Sequence, residues 1–155
     1  MPINPNTDFT TGAVLTADQQ NRFPRGIMAY GQLTTSSFFN TIEAVVFTLS
    51  FTAVANRYYR LTYHEPILQV PSGTLAATEI RFRLNNLTGT EQYFSQAQNN
   101  AVNQYAPGYT FQRVQTFSAG STTVVATLKA STGSANAFRS STAIGFFMVE
   151  DIGPA

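Results

Sequence analysis

From Arg25 onward the chain alternates apolar and polar positions with a period of two. Glu43, Val45, Phe47, Leu49 and Phe51 share one face, while Thr48 and Ser50 point the other way. Tyr59, Leu61 and Tyr63 alternate with Tyr58, Arg60, Thr62 and His64. Ile80, Phe82 and Leu84 alternate with Glu79, Arg81 and Arg83, and Val124, Ala126 and Leu128 with Thr123, Thr127 and Lys129. This is the pattern of half-buried strands with one face on a core. It predicts about eight strands, near 26–33, 42–51, 57–65, 78–84, 90–94, 109–117, 122–130 and 137–150. Ile144 to Val149 is apolar on both faces, apart from Gly145, so that strand is expected to be covered on both sides. Short strands at regular spacing predict an all-β fold, an antiparallel β-sandwich of jelly-roll type.

Turn chemistry punctuates the runs at Pro71-Ser72-Gly73, Asn85 to Gly89, Ser118 to Ser121 and Ser131 to Ser134. Ser118 to Ser121 is expected to close a hairpin between Thr110–Phe117 and Thr122–Ala130. Ser95 to Gln104 lacks both periods and reads as a polar loop.

The first 24 residues differ from the rest and are rich in Pro, Asn and Thr. Thr16 to Arg22 reads as a short helix capped by Thr16 and ended at Pro24. Residues 1–24 are thus expected to be a docking arm, and 25–155 a β-sandwich domain. Phe9, Leu15 and Phe23, apolar residues in a polar stretch, together with Arg22, are the candidate docking contacts.

Composition narrows the function. The 155 residues hold 11% charged side chains, against about 25% in average usage, and a net charge of +1. There is no cysteine, which excludes a disulfide framework and thiolate metal sites. Balanced charge argues against an electrostatic nucleic-acid binder. Apolar runs of about five residues fall short of the roughly 20 that span a bilayer. The start is polar, with no basic segment ahead of an apolar run, so no signal peptide is expected.

His64 is the only histidine, and its neighbour Glu65 belongs to the opposite strand face, so the two are not expected to pair. The acids are scattered, except Glu150-Asp151, which read as the exit of the last strand to solvent. We therefore expect no enzyme, no metal and no cofactor. Eight arginines against one lysine suit interface and surface pairing. Tyr58, Phe138 and Phe147 are expected on the outward face, Tyr58 and Phe138 as candidate glycan contacts and Phe147 as an interface residue.

Two stretches carry a resemblance. Phe9 to Gly26, with its short helix and Pro24-Arg25-Gly26 step, resembles the opening of small virion proteins of tailed bacteriophages, of minor tail or fibre type, and Phe147 to Ala155 looks like their ending. Phe51 to His64 and Gly145 to Val149 are similar to central and final strands of C1q/TNF-like jelly rolls. The first resemblance implies a structural virion protein, made in the bacterial cytoplasm, that contacts other virion proteins and a host-surface glycan; a capsid decoration protein or head fibre is the alternative. The second implies a homotrimer, with Ile144, Phe146, Phe147 and Val149 as its seam. A carbohydrate-binding module is the competing reading.

Overall fold

The computed structural model describes residues 11, 12, 14, 16–69, 77–98, 105–106 and 108–155. Its one described helix, α1 (Ala17–Asn21), begins as the sequence predicts. The Thr16 hydroxyl accepts from the Gln19 N–H at 3.2 Å, and the Gln19 side chain accepts from the Thr16 N–H at 2.9 Å. This reciprocal capping box satisfies two free donors at the start of a helix only five residues long.

Strands follow in the order β1 (Gly26–Leu33), β2 (Ser37–Asn40), β3 (Ala44–Ala53), β4 (Arg57–Glu65), β5 (Leu68–Gln69) and β6 (Ala77–Leu84). Then come β7 (Glu91–Gln98), β8 (Tyr105–Ala106), β9 (Tyr109–Thr116), β10 (Gly120–Ala130), β11 (Ser134–Ala137) and β12 (Gly145–Pro154). They form two four-stranded antiparallel sheets, β1-β12-β4-β9 and β3-β10-β6-β7, and a smaller sheet β2-β11-β5-β8. The first two are the layers of an antiparallel β-sandwich.

The core lies between them. Tyr59, Leu61, Tyr63, Phe147 and Val149 from the first sheet meet Phe47, Leu49, Phe51, Ile80, Phe82 and Val124 from the second. Rings bridge the layers: Phe82 lies 5.1 Å from Phe147, Phe51 5.4 Å from Tyr59, and Phe47 5.7 Å from Tyr63 in an edge contact. Each large buried apolar side chain contributes about 1.5–3 kcal/mol over its exposed state.

The structure corrects several expectations. Ser118 to Ser121 does not close a hairpin: β9 pairs with β4, and β10 pairs with β3 and β6. The turn instead carries the chain from one sheet to the other. The run 137–150 divides into β11 and β12, with a connection over 138–144. Ser95 to Gln98 belongs to β7, where Gln98 pairs with Ala77; the Pro71-Ser72-Gly73 turn and 99–104 lie outside the described residues. In β3 the register shifts opposite Ala126–Thr127, which leaves Val45 outside although Phe47 is buried.

Two buried ion pairs tie the layers to their ends. Glu65 and Arg139 side chains are fully enclosed; Arg139 Nη2 donates to Glu65 Oε2 at 2.6 Å, and the Tyr63 hydroxyl donates to the same oxygen at 2.6 Å. Gly145 permits this packing, because a Cβ there would stand 2.7 Å from Arg139 Nε. At the other end of β4, Arg57 donates to both Asp151 oxygens. Asp151 is 1% exposed, so it is an internal anchor and not the exit to solvent that its position suggested.

Candidate interface on the outer face of the first sheet

Register assigns the outward residues of β1-β12-β4-β9. Gln32, Phe146, His64 and Thr110 form one row across the strands, and Tyr30, Met148, Thr62 and Gln112 the next. Ile27, Glu150, Arg60 and Val114 form the third, and Tyr58 faces Thr116 beyond it. Antiparallel pairing sets neighbouring strands about 4.8 Å apart, so residues in a row touch.

The centre of this face is aromatic. The Phe146 ring lies 6.1 Å from Tyr30 and 5.2 Å from His64. Polar groups around it are largely satisfied among themselves. His64 Nδ1 bonds with Thr110 Oγ1 at 2.9 Å, the Tyr30 hydroxyl donates to Gln32 at 3.3 Å, and Gln112 donates to Thr62 at 3.3 Å. One ion pair, Arg60 to Glu150 at 2.9 Å, interrupts the apolar surface. Ile27 is 62% exposed, Tyr30 50% and Val114 44%. Exposed Ile27, Tyr30 and Val114 around half-buried Phe146 and Met148 make this a nearly neutral, apolar patch, of the kind that suits a protein contact.

The predicted seam residues divide. Phe147 and Val149 are fully buried in the core. The outward placement of Phe147 is therefore corrected: strand alternation turns Phe146 and Met148 out, and Phe147 and Val149 in. Ile144 is half-buried beside the start of β12. Sequence reasoning missed Tyr30 and Met148; the signal was present in β1, where Ile27 and Tyr30 are large apolar residues on what proves to be an edge strand.

Tyr58 shares this outer face, but six residues along β4 from the Phe146 row, about 20 Å away. Phe138 lies beyond the opposite end of β4, its N–H donating to the Ile67 carbonyl at 2.9 Å. The structure does not bring these two candidate glycan contacts together. Phe138 instead lines a separate hollow of about 250 Å³ with Ile67, Arg139, Ser140 and Ala143.

In the arm, Phe9 and Leu15 lie outside the described residues. Arg22 is half-buried and Phe23 is 39% exposed. Arg57 donates to the Asn21 carbonyl, and to the Phe23 carbonyl at 2.6 Å, which ties the end of α1 to the start of β4.

The outer face of the second sheet is built otherwise. Glu43, Arg83, Glu91, Arg81, Glu79 and Lys129 form a continuous chain of ion pairs. Phe94 lies under the Arg81 guanidinium at 4.7 Å. Burial pushes the Glu43 carboxyl up, but hydrogen bonds from Arg83 and Thr127 and the charges of Arg83 and Arg81 outweigh it and hold it below its ordinary value. Glu79 is held low in the same way, against its burial, by Arg81 and Lys129.

His64 and Glu65 point to opposite faces, as expected: Glu65 is enclosed, while His64 meets Thr110 and Phe146. Among the described residues no three His, Asp or Glu side chains converge as a metal site. No described helix is long and apolar enough to cross a membrane.

No protein-family model matches the sequence, and no curated protein matches it. Solved structures do resemble the fold. An Eiger TNF from S. frugiperda matches with a TM-score of 0.52 at 8% identity, over 84% of this chain and 94% of that one. A carbohydrate binding module from Cellvibrio mixtus lichenase 5A, solved with cellotriose, matches at 0.40 and 13% identity, over 81% and 98%. VP2 in a subviral particle of infectious bursal disease virus matches at 0.47 and 10% identity, over 95% of this chain and 45% of that one, so the chain spans under half of VP2. The chain is an antiparallel β-sandwich of jelly-roll type.

Proposed function

We propose that this protein is a structural subunit that assembles with copies of itself through the outer face of β1-β12-β4-β9, as a homotrimer in a tailed-phage virion. The observation that carries the reading is the cluster of Tyr30, Phe146 and Met148, flanked by Ile27 and Val114, on a face with a single ion pair. Covering that cluster removes apolar area from water at about 25 cal/mol per Å². The seam is thus Phe146 with Tyr30 and Met148, with Ile144 at its margin, while Phe147 and Val149 support it from beneath. The virion setting rests on the resemblance of Phe9 to Gly26 to tailed-phage structural proteins, as a minor tail or fibre protein or, alternatively, a decoration protein of the head. Residues 1–24 would dock the subunit on a neighbouring virion protein, with host-surface contact at the free end. On this reading the protein is not an enzyme.

The direct test is mass in solution with a Phe146→Glu variant. We expect a trimer of 16.9 kDa chains, and a folded monomer for the variant. A wild-type monomer that binds glycans through Tyr30 and Phe146 would replace this reading with the carbohydrate-binding one. For the particle, deletion of residues 1–24 should leave the sandwich folded and stop its incorporation; normal incorporation would remove the docking role of the arm.

A further inference from the structure

The end of the arm and the β3–β4 turn enclose an open cleft of about 360 Å³, whose lining includes Asn21, Arg22, Arg25, Asn56, Arg57 and Pro154. Guanidinium groups line it, and among the described residues no carboxylate side chain does. Arg57 is 4% exposed and immobilised: Nε and Nη2 bond Asp151, Nη1 bonds the Asn21 carbonyl, and Nη2 bonds the Phe23 carbonyl. Those bonds use four of the five N–H groups that a guanidinium carries. The fifth, on Nη1, has no acceptor among the described residues. Arg25 is exposed and has no ion pair or hydrogen bond among the described residues. A guanidinium N–H with no protein acceptor is a ready charge-assisted donor to an anion in the cleft.

We infer that this cleft binds a small oxyanion, a carboxylate or phosphate group, between the Arg25 guanidinium and the spare Arg57 N–H. The ligand spans two parts of the chain. Arg22 and Arg25 lie between α1 and β1, whereas Asn56 and Arg57 lie at the β3–β4 turn. Whatever binds both parts stabilises the seated arm by mass action. The site stands apart from the aromatic face and does not depend on self-association.

Thermal unfolding of the full chain tests it, with pyrophosphate and glucuronate as probes, and glucose and sodium chloride at matched ionic strength as controls. Pyrophosphate, glucuronate or both should raise the unfolding temperature above the salt control, with the stronger probe naming the group, and glucose should not. Arg25→Gln should leave the ligand-free unfolding temperature unchanged and weaken the anion about tenfold, the loss of one charge-assisted contact. Two results would overturn the inference: neither anion exceeding the salt control, or Arg25→Gln responding as strongly as the wild type.

Discussion

The two outer faces of the sandwich use the same backbone and opposite chemistry. On β3-β10-β6-β7, three acids and three bases alternate across the strands, and each finds a partner. Phe94 and Val45 are also exposed there, but the ion pairs dominate the face. Its charges are mutually paired, and covering them would cost desolvation. On β1-β12-β4-β9 the polar groups also pair with one another, but they surround Phe146, Tyr30 and Met148, which gain nothing from water. The difference teaches that the low overall charge is unevenly spent: six of the charged side chains guard one face, and the other is left open to contact.

The largest effect should come from a charge that neither face exposes. Glu65→Ala would leave Arg139 enclosed without its carboxylate and should destabilise the domain by about 3–5 kcal/mol in urea unfolding. Removing Glu91 from the ionic face, where it is 41% exposed, should cost no more than about 1 kcal/mol. A similar cost for both would show that burial does not separate these pairs.

Next comes the contact face. Phe146→Glu should weaken self-association about a hundredfold or more, as central aromatic contacts do. It should move the unfolding midpoint of the monomer little, because Phe146 lies outside the core. The matching change on the other face, Phe94→Glu, should leave assembly untouched. Sedimentation of both variants would collapse the comparison if they behaved alike.

Acid should act on the ionic face. Glu43 and Glu79 are held below the usual carboxylate value of about 4.5, so they bind protons more weakly folded than unfolded. Their stabilisation is fully present above that value and is lost as pH falls below it. In Arg83→Gln the part of the acid loss carried by Glu43 should shrink, since its folded value then lies closer to its unfolded one. The smallest effect is that of salt: 1 M sodium chloride should trim stability slightly through the exposed pairs and leave assembly through the aromatic face intact.

Much of the sandwich was legible because alternation reports one-sided burial. β1, β4, β6, β9 and β10 fall where the pattern places them, and the α1 cap is local chemistry. The small sheet was not legible: β2 and β11 have four residues each, and β5 and β8 two, too few for any period to show. The residues between β9 and β10 show that the chain turns, but turn residues do not say which sheet it enters next. At Phe146-Phe147 no polar residue sets the phase of the strand. Phase is set by Gly145 against Arg139, whose side chain is held by Glu65, and by Asp151 against Arg57, 94 positions away in the chain. The candidate site was half legible for the same reason. Phe146 was in view, but Tyr30 joins it only through the pairing of β1 with β12.

The central claim is that the aromatic face joins copies of this chain. Light scattering of the purified full-length protein, beside its Phe146→Glu variant, tests it most directly. Self-association through this face gives three times 16.9 kDa for the wild type and a folded single chain for the variant. A wild type that stays monomeric at the highest soluble concentration, or a variant that keeps the wild-type mass, would contradict it.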